Sequence, residues 1–217
     1  MSLKIGKLVV GIYSTNCYFL YEEGKTDVIL ADVPDHGKEI YEKLKDNGYR
    51  IGAVLLTHGH FDHIWGVEGI RKAALEDGNE DLKIYANEAE ERLLKSPGMN
   101  ESEDMGRPCS VKADVWLKDG EELTICGIKV KCIATPGHTE GGMCFYFEDG
   151  DILVAGDTLF YESVGRTDFP TGSMSTLIRS IQDKLYVLPE KTLVYPGHGE
   201  STTIGHEKTW NPFTVEA

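Results

Sequence analysis

The sequence predicts an α/β chain in which two sheets pack face to face and helices lie on the outside. Three observations predict it. Each half runs through strands first and helices later. The strand-like runs are short, apolar and β-branched, bounded by glycine, asparagine and aspartate. The helix-like runs carry apolar residues at three- and four-residue spacing. The chain has 217 residues, 41% of them hydrophobic, which suits one domain over 1–217 with two similar halves, about 1–95 and 114–217.

The elements follow in order. Strands are expected at about 4–11, 17–21 and 27–31. "DHGKEIYEKLKDNG" (35–48) reads as helix, with Ile40, Tyr41 and Leu44 on one face and Gly48 near the stop. Strand 52–57, a helix over 66–75, strand 82–86 and a helix near 87–95 complete the first half. Residues 96–114, "SPGMNESEDMGRPCSVKAD", form a polar loop with two prolines and two glycines, and a loop that long points to function. The second half has strands near 114–117, 121–125, 128–134, 143–148 and 151–156. A helix over 173–186, a strand at 192–195 and a short terminal helix end the chain.

Composition narrows the function. A formal charge of −14 repels phosphate backbones, so nucleic acid is a poor partner. No basic amphipathic stretch or long apolar run suits a membrane. "MSLKIGKLVVGIYSTN" alternates like a strand and lacks the features of a signal peptide. The five cysteines (17, 109, 126, 132 and 144) are odd in number, form no C-x-x-C pair and read as reduced, buried small hydrophobes. These features predict a cytoplasmic protein acting on a small molecule, and nothing in them specifies an oligomeric state.

Chemistry concentrates at strand ends. "LLTHGHFDHIWG" (55–66) places His58, His60, Asp62 and His63 within six positions, and "ATPGHT", "VAGDT" and "VYPGHG" deliver His138, Asp157 and His198 from three other strands. Neutral imidazole and carboxylate are ligands for zinc, iron and manganese alike, with zinc the first expectation. His58 and His60 lie two apart, on the same side of extended chain. Seven ligands suffice for two divalent ions. His58, His60 and His138 are assigned to one, Asp62, His63 and His198 to the other, and Asp157, with two oxygens, bridges. Unpaired imidazoles clustered this densely would be costly to bury without such a purpose. Asp32 and His36 read as structural and surface residues.

"THGHFDH" resembles the T-H-x-H-x-D-H motif of the metallo-β-lactamase fold, and "ATPGHT", "GDTLF" and "YPGHG" match its later motifs in order. The resemblance covers nearly the whole chain and is nearest to the glyoxalase II (hydroxyacylglutathione hydrolase) group, especially single-domain bacterial members. It implies an αββα sandwich and a dinuclear hydrolytic centre. Metal-bound hydroxide would attack the carbonyl of an S-lactoylglutathione-like thioester, with Asp62 orienting the nucleophile and carrying its proton. A thiol of pKa about 8.5 leaves as thiolate without obligatory protonation. The loop "GDTLFYESVGRTDFPTG" (156–172), with Phe160, is the expected pocket wall. Where glutathione-specific relatives carry Lys and Tyr, this chain has Arg166 and Asp168; either Arg166 grips a substrate carboxylate, which Asp168 would oppose, or the two brace each other. His206 and Lys208 read as a solvated helix face. "GRTDF" also resembles persulfide dioxygenases of the same fold, which use one iron. Here its ligands would be His58, His138 and Asp157. A metal-binding module without catalysis is the remaining reading.

Overall fold

The computed structural model describes residues 2–214. The first sheet holds six strands in chain order: β1 (Leu3–Val10), β2 (Thr15–Glu22), β3 (Asp27–Ala31), β4 (Arg50–Leu55), β5 (Lys83–Asn87) and β6 (Val115–Leu117). β1, β2 and β3 pair antiparallel, while β3 to β6 run parallel. Helix α1 (Gly37–Asp46) crosses from β3 to β4. A single turn, α2 (Phe61–Ile64), and helix α3 (Val67–Glu76) cross from β4 to β5, and α4 (Glu91–Lys95) follows β5.

The second sheet uses β7 (Glu122–Ile125), β8 (Ile128–Ala134), β9 (Met143–Phe147), β10 (Ile152–Gly156), β13 (Leu193–Pro196) and β14 (Thr202–Thr203). Its spatial order is β14-β13-β10-β9-β8-β7. β11 (Leu159–Phe160) and β12 (Ser163–Val164) form a separate hairpin. Helix α5 (Met174–Ser180) continues into a π-helical turn, Ile181–Leu185, and α6 (Ile204–Trp210) closes the described chain.

Side-chain alternation explains the layering. In β3, Val28 and Leu30 join the apolar cluster under α1 and α3, while Ile29 and Ala31 face the other sheet. β4 repeats this with Val54 outward and Ala53 and Leu55 inward. Both faces of these central strands are covered, so they read as unbroken apolar runs. In the second sheet Met143, Phe145, Phe147, Ile152 and Val154 fill the space between the sheets. Cys144, Tyr146, Leu153 and Ala155 pack outward against Leu177, Ile181, Leu185 and Ile204. The architecture is the expected α/β arrangement, helix–sheet–sheet–helix.

Several elements differ from the sequence expectation. The strand near 114–117 opens the expected second half, yet it pairs with β5 in the first sheet, so the two sheets divide after residue 117. The helix over 87–95 is split into a 3-10 turn at Glu88–Glu90 and the short α4. The helix over 173–186 loosens into its π turn after Ser180. α2, the β11–β12 hairpin and β14 are two to four residues long. Elements that short carry too few residues to display a period.

Topology also sets where the site lies. β8 and β10 are each antiparallel to β9, and β13 is parallel to β10, so β8, β10 and β13 run the same way. Their C-terminal ends share one edge of the sandwich. The first sheet is tied to that edge through Met143 N–H to the Thr57 carbonyl (2.8 Å) and Asn16 N–H to the Gly197 carbonyl (2.7 Å).

Phe145 is wholly buried between the sheets. Phe145→Ala is expected to cost about 3–5 kcal/mol in equilibrium urea unfolding. Lys129→Ala, on the exposed face of β8, should change stability by less than about 0.5 kcal/mol.

Candidate metal centre

Four strand ends meet here. The turn after β4 carries His58 and His60, and α2 adds Asp62 and His63. The turns after β8, β10 and β13 bring His138, Asp157 and His198. Seven of the residues read as ligands from the sequence are therefore gathered in one cluster. His138 Nε2 lies 3.2 Å from His58 Nε2 and 2.9 Å from His60 Nδ1. Nitrogens sharing one tetrahedral zinc would stand about 3.3 Å apart. A second group is formed by Asp62, His63 and His198, with His198 Nε2 3.2 Å from Asp62 Oδ2. Asp157 lies between them. Its Oδ1 is 3.4 Å from His63 Nε2, and its Oδ2 is 3.7 Å from His138 Nε2 and 3.6 Å from His198 Nε2.

Hydrogen bonds behind the cluster fix which nitrogen of each ring faces it. Asp32 is buried at the end of β3, in the left-handed region at φ 57°, which aspartate tolerates better than most residues. It accepts from Thr57 N–H (2.8 Å), from the Thr57 hydroxyl (2.7 Å) and from His63 Nδ1 (2.7 Å). Because the Thr57 hydroxyl donates to Asp32, its oxygen accepts from His58 Nδ1 at 3.1 Å. His138 Nδ1 donates to the Arg166 carbonyl at 2.6 Å. Each of the three rings has its Nδ1 proton engaged, so in the neutral form of each ring the lone pair lies on Nε2, which points into the cluster.

The electrostatics divide the cluster in two. Burial, then neighbouring imidazoles, holds His58 well below its ordinary pKa and His60 down at about 3, and burial also lowers His138. These three rings are neutral at pH 7, with lone pairs free to coordinate. Burial opposes charge on His63 as well, but Asp62, Asp32 and Asp157 outweigh it and raise its pKa. His198 is raised against burial by Asp62 and Asp157. Asp157 and Asp62 stay ionised despite burial because His63 and His198 face them. Within the cluster, the buried His63 Nε2 and Asp157 Oδ1 have no hydrogen-bond partner. Buried polar atoms are rarely left so. Nitrogen and carboxylate donors with bare, converging lone pairs fit divalent metal ions.

Close backbone approach is needed at Gly197. A Cβ there would overlap Asp157 Oδ1 and His63 Cε1. Gly156, at φ +50°, lies so near Thr57 that a side chain would strike its hydroxyl.

A cleft of about 520 Å³ opens above the cluster. Phe160 lines it, with its ring 6.4 Å from that of His198. Arg166 also lines it, but its Nε and Nη2 donate to Asp168 at 3.0 and 2.7 Å, so the two side chains brace each other. His36 is exposed at the start of α1, as expected. His206, expected in a solvated face, instead pairs with Glu162 (3.0 Å) and stacks on Tyr161.

The profile of the metallo-beta-lactamase superfamily matches residues 10–198. The chain belongs to the metallo-beta-lactamase superfamily. Among curated relatives, a protein named "probable metallo-hydrolase" from Streptococcus pyogenes is 37% identical over 216 residues, covering 97% of this chain and 90% of its own. The hydroxyacylglutathione hydrolase GloC of Haemophilus influenzae is 29% identical, covering 97% of this chain and 98% of its own. Among solved structures, the BLEG-1 B3 metallo-beta-lactamase superposes with a TM-score of 0.90 at 34% identity, covering 98% and 100% of the two chains. A protein solved in a di-iron-bound form gives 0.80 at 30%, covering 96% and 99%. ETHE1 from Myxococcus xanthus gives 0.78 at 27%, covering 96% and 83%.

Two positioning residues were not singled out by sequence reasoning in these roles. Asp32 follows the same apolar-strand-into-carboxylate pattern, "VILAD", that marks Asp157, and that pattern could have found it. Glu90 gives no such signal, because "NEAEERLL" looks like a solvated helix. It is buried, accepts from Gly59 N–H (2.8 Å) and the Thr139 hydroxyl (3.1 Å), and so ties the His58–His60 turn to the His138 turn. Burial pushes its carboxyl up to about 7 against those donors.

Asp32→Asn keeps the shape but loses the charge that orders both rings. It is expected to weaken zinc affinity about 10–100-fold, read by competition with a chromophoric chelator. Glu90→Ala leaves Gly59 N–H unpaired and should lower the unfolding free energy by about 1–3 kcal/mol. The same titration should show weaker metal binding.

Proposed function

We propose that the protein is a metal-dependent hydrolase of acyl thioesters. His58, His60 and His138 would hold one divalent ion and Asp62, His63 and His198 a second, with Asp157 shared. The observation that carries this reading is Asp157, whose two oxygens face both groups of ligands. The di-iron form of a 30%-identical neighbour supports two ions, and the printed name of the Haemophilus relative supports a thioester. Bound there, such ions would acidify a water and polarise a carbonyl.

The chain's own residues have separable tasks. Asp32, Thr57 and the Arg166 carbonyl orient the imidazoles. Asp62 is ionised, accepts a hydrogen bond from Thr15 Oγ1 at 3.0 Å and lines the cleft, so it can orient the attacking water and take up its proton. Phe61, Phe160 and Phe169 line the cleft and limit bulk water around the reacting carbonyl. A thiolate departs without a dedicated proton donor.

Chain loaded separately with zinc, manganese or iron should release thiol from an acyl thioester. Chelation should abolish turnover, and Asp157→Ala should reduce both metal content and rate, the rate at least about 100-fold. Oxygen uptake with a persulfide, one iron per chain and no thiol release would instead assign a dioxygenase using His58, His138 and Asp157. Ring opening of a β-lactam in place of thiol release would overturn the thioester assignment while keeping the hydrolase.

A further inference from the structure

The cleft above the ligands is built from apolar side chains and an unbalanced rim. Tyr13, Phe61 and Met105 form one wall, with the Tyr13 and Phe61 rings 5.5 Å apart, edge to face. Phe160, Val164 and Phe169 form the other, and the Phe169 ring stands 4.9 Å from that of His60. The charged groups of the lining, apart from the ligand residues, are Glu101, Asp104 and Arg166. Arg166 offers no free fork. Two of its nitrogens are on Asp168, and its guanidinium lies 4.5 Å over the Phe169 ring. Paired with Asp168, Arg166 brings no net charge to the rim. Glu101 and Asp104 then leave the rim net negative. Glu101 is raised above its ordinary pKa by burial and then by Asp104, with Arg166 opposing them, as expected where negative charge outweighs positive.

A thioester that presents its carbonyl to the ligand cluster lays the rest of its chain between these walls and along this rim. We propose that the cleft selects acyl thioesters whose thiol half is neutral or cationic, with Glu101 and Asp104 the specificity-determining residues that disfavour carboxylate- and phosphate-bearing thiols. This rests on the reading of the centre as a thioesterase, and it narrows that reading away from a tripeptide thiol with two carboxylates. The exclusion is electrostatic. A substrate charge about 7 Å from one rim carboxylate changes affinity roughly threefold in water, and salt weakens the effect. The formal charge of −14 on the whole chain adds to it at long range.

The test separates charge selection from catalysis. The metal-loaded full chain is titrated calorimetrically with S-butyl thioethers of thiocholine (cationic), N-acetylcysteamine (neutral) and glutathione (anionic), which cannot be hydrolysed. The glutathione thioether should bind at least fivefold more weakly than the other two at low salt. That gap should shrink in 0.5 M salt and at least threefold in the E101Q/D104N double variant. Equal or tighter binding of the glutathione thioether overturns the proposal, as does a gap the double variant leaves unchanged, or no binding of the neutral and cationic probes. Turnover of S-butyryl esters of the same thiols reads the thioesterase assignment separately. Hydrolysis of none of them, with the binding order intact, removes the assignment and leaves charge selection standing.

Discussion

Asp32 is the point on which the geometry of the cluster turns. Its two oxygens take three donors, and through Thr57 and His63 they determine which nitrogen of two separate imidazoles carries the proton. A neutral imidazole presents its lone pair on the nitrogen that is not protonated, so a ring with the wrong tautomer presents a donor where a ligand is needed. The position of Asp32 in turn depends on the first sheet. β3 ends at Ala31 beside Leu55 of β4, and the next residue steps into a left-handed conformation that directs a short carboxylate at the turn after β4. Core packing, strand register and ligand chemistry thus meet in one side chain.

The second requirement is that turns from two sheets agree in position to within tenths of an ångström. Ligands on mobile loops could not do this without a large ordering cost. Here His58, His60, His138, Asp157 and His198 sit within about five residues of a buried strand's end, and Asp62 and His63 sit on the single turn α2 that follows, so their backbone inherits the stiffness of the sandwich. The turns are further tied to one another. Glu90 links the turn after β4 to the turn after β8, the Thr57 carbonyl accepts from Met143, and the Gly197 carbonyl accepts from Asn16. Burial makes three imidazoles neutral, whereas three carboxylates surround the other side with negative charge. The two regions therefore differ in donor type before any ion is considered.

Much of this was legible in the sequence because the same physics writes both. Strand-ending apolar runs such as "AVLL" and "DILVAG" announce buried strands, and histidine or aspartate immediately after them announces an edge where they meet. What was not legible depends on contacts across the fold. Whether Glu90 is a surface residue or a buried tie depends on Gly59 and Thr139, 31 and 49 positions away. Asn100 lies in a glycosylation-like triplet, yet its side chain is buried and bonds the Cys109 carbonyl at 3.0 Å, shaping the long loop. The short α2 and the β11–β12 hairpin leave no periodic trace. The pairing of 115–117 with the first sheet is a tertiary choice that three residues cannot announce.

The division of labour between strands and loops has a further consequence. Ligands come from strand ends, but most of the cleft wall comes from the β1–β2 turn, the loop over 96–110 and the stretch from 159 to 172. The long loop is held by its own contacts. Arg107 pairs with Asp35 and lies over Trp65, whose indole donates to the Arg107 carbonyl. It meets the cluster chiefly through Phe61 N–H donating to the Asn100 carbonyl at 3.0 Å. Substitution of Glu101 or Asp104, at the exposed or half-exposed tip of that loop, alters the charge a substrate meets and leaves this anchor in place. The stretch from 159 to 172 is different. The Arg166 carbonyl holds His138, so the backbone there is bound to the centre even though the Arg166 side chain is not. The backbone that carries Arg166 is therefore constrained to follow the metal ligands, and Gly165 beside it admits no side chain, because a Cβ there would overlap the Asp157 carbonyl oxygen.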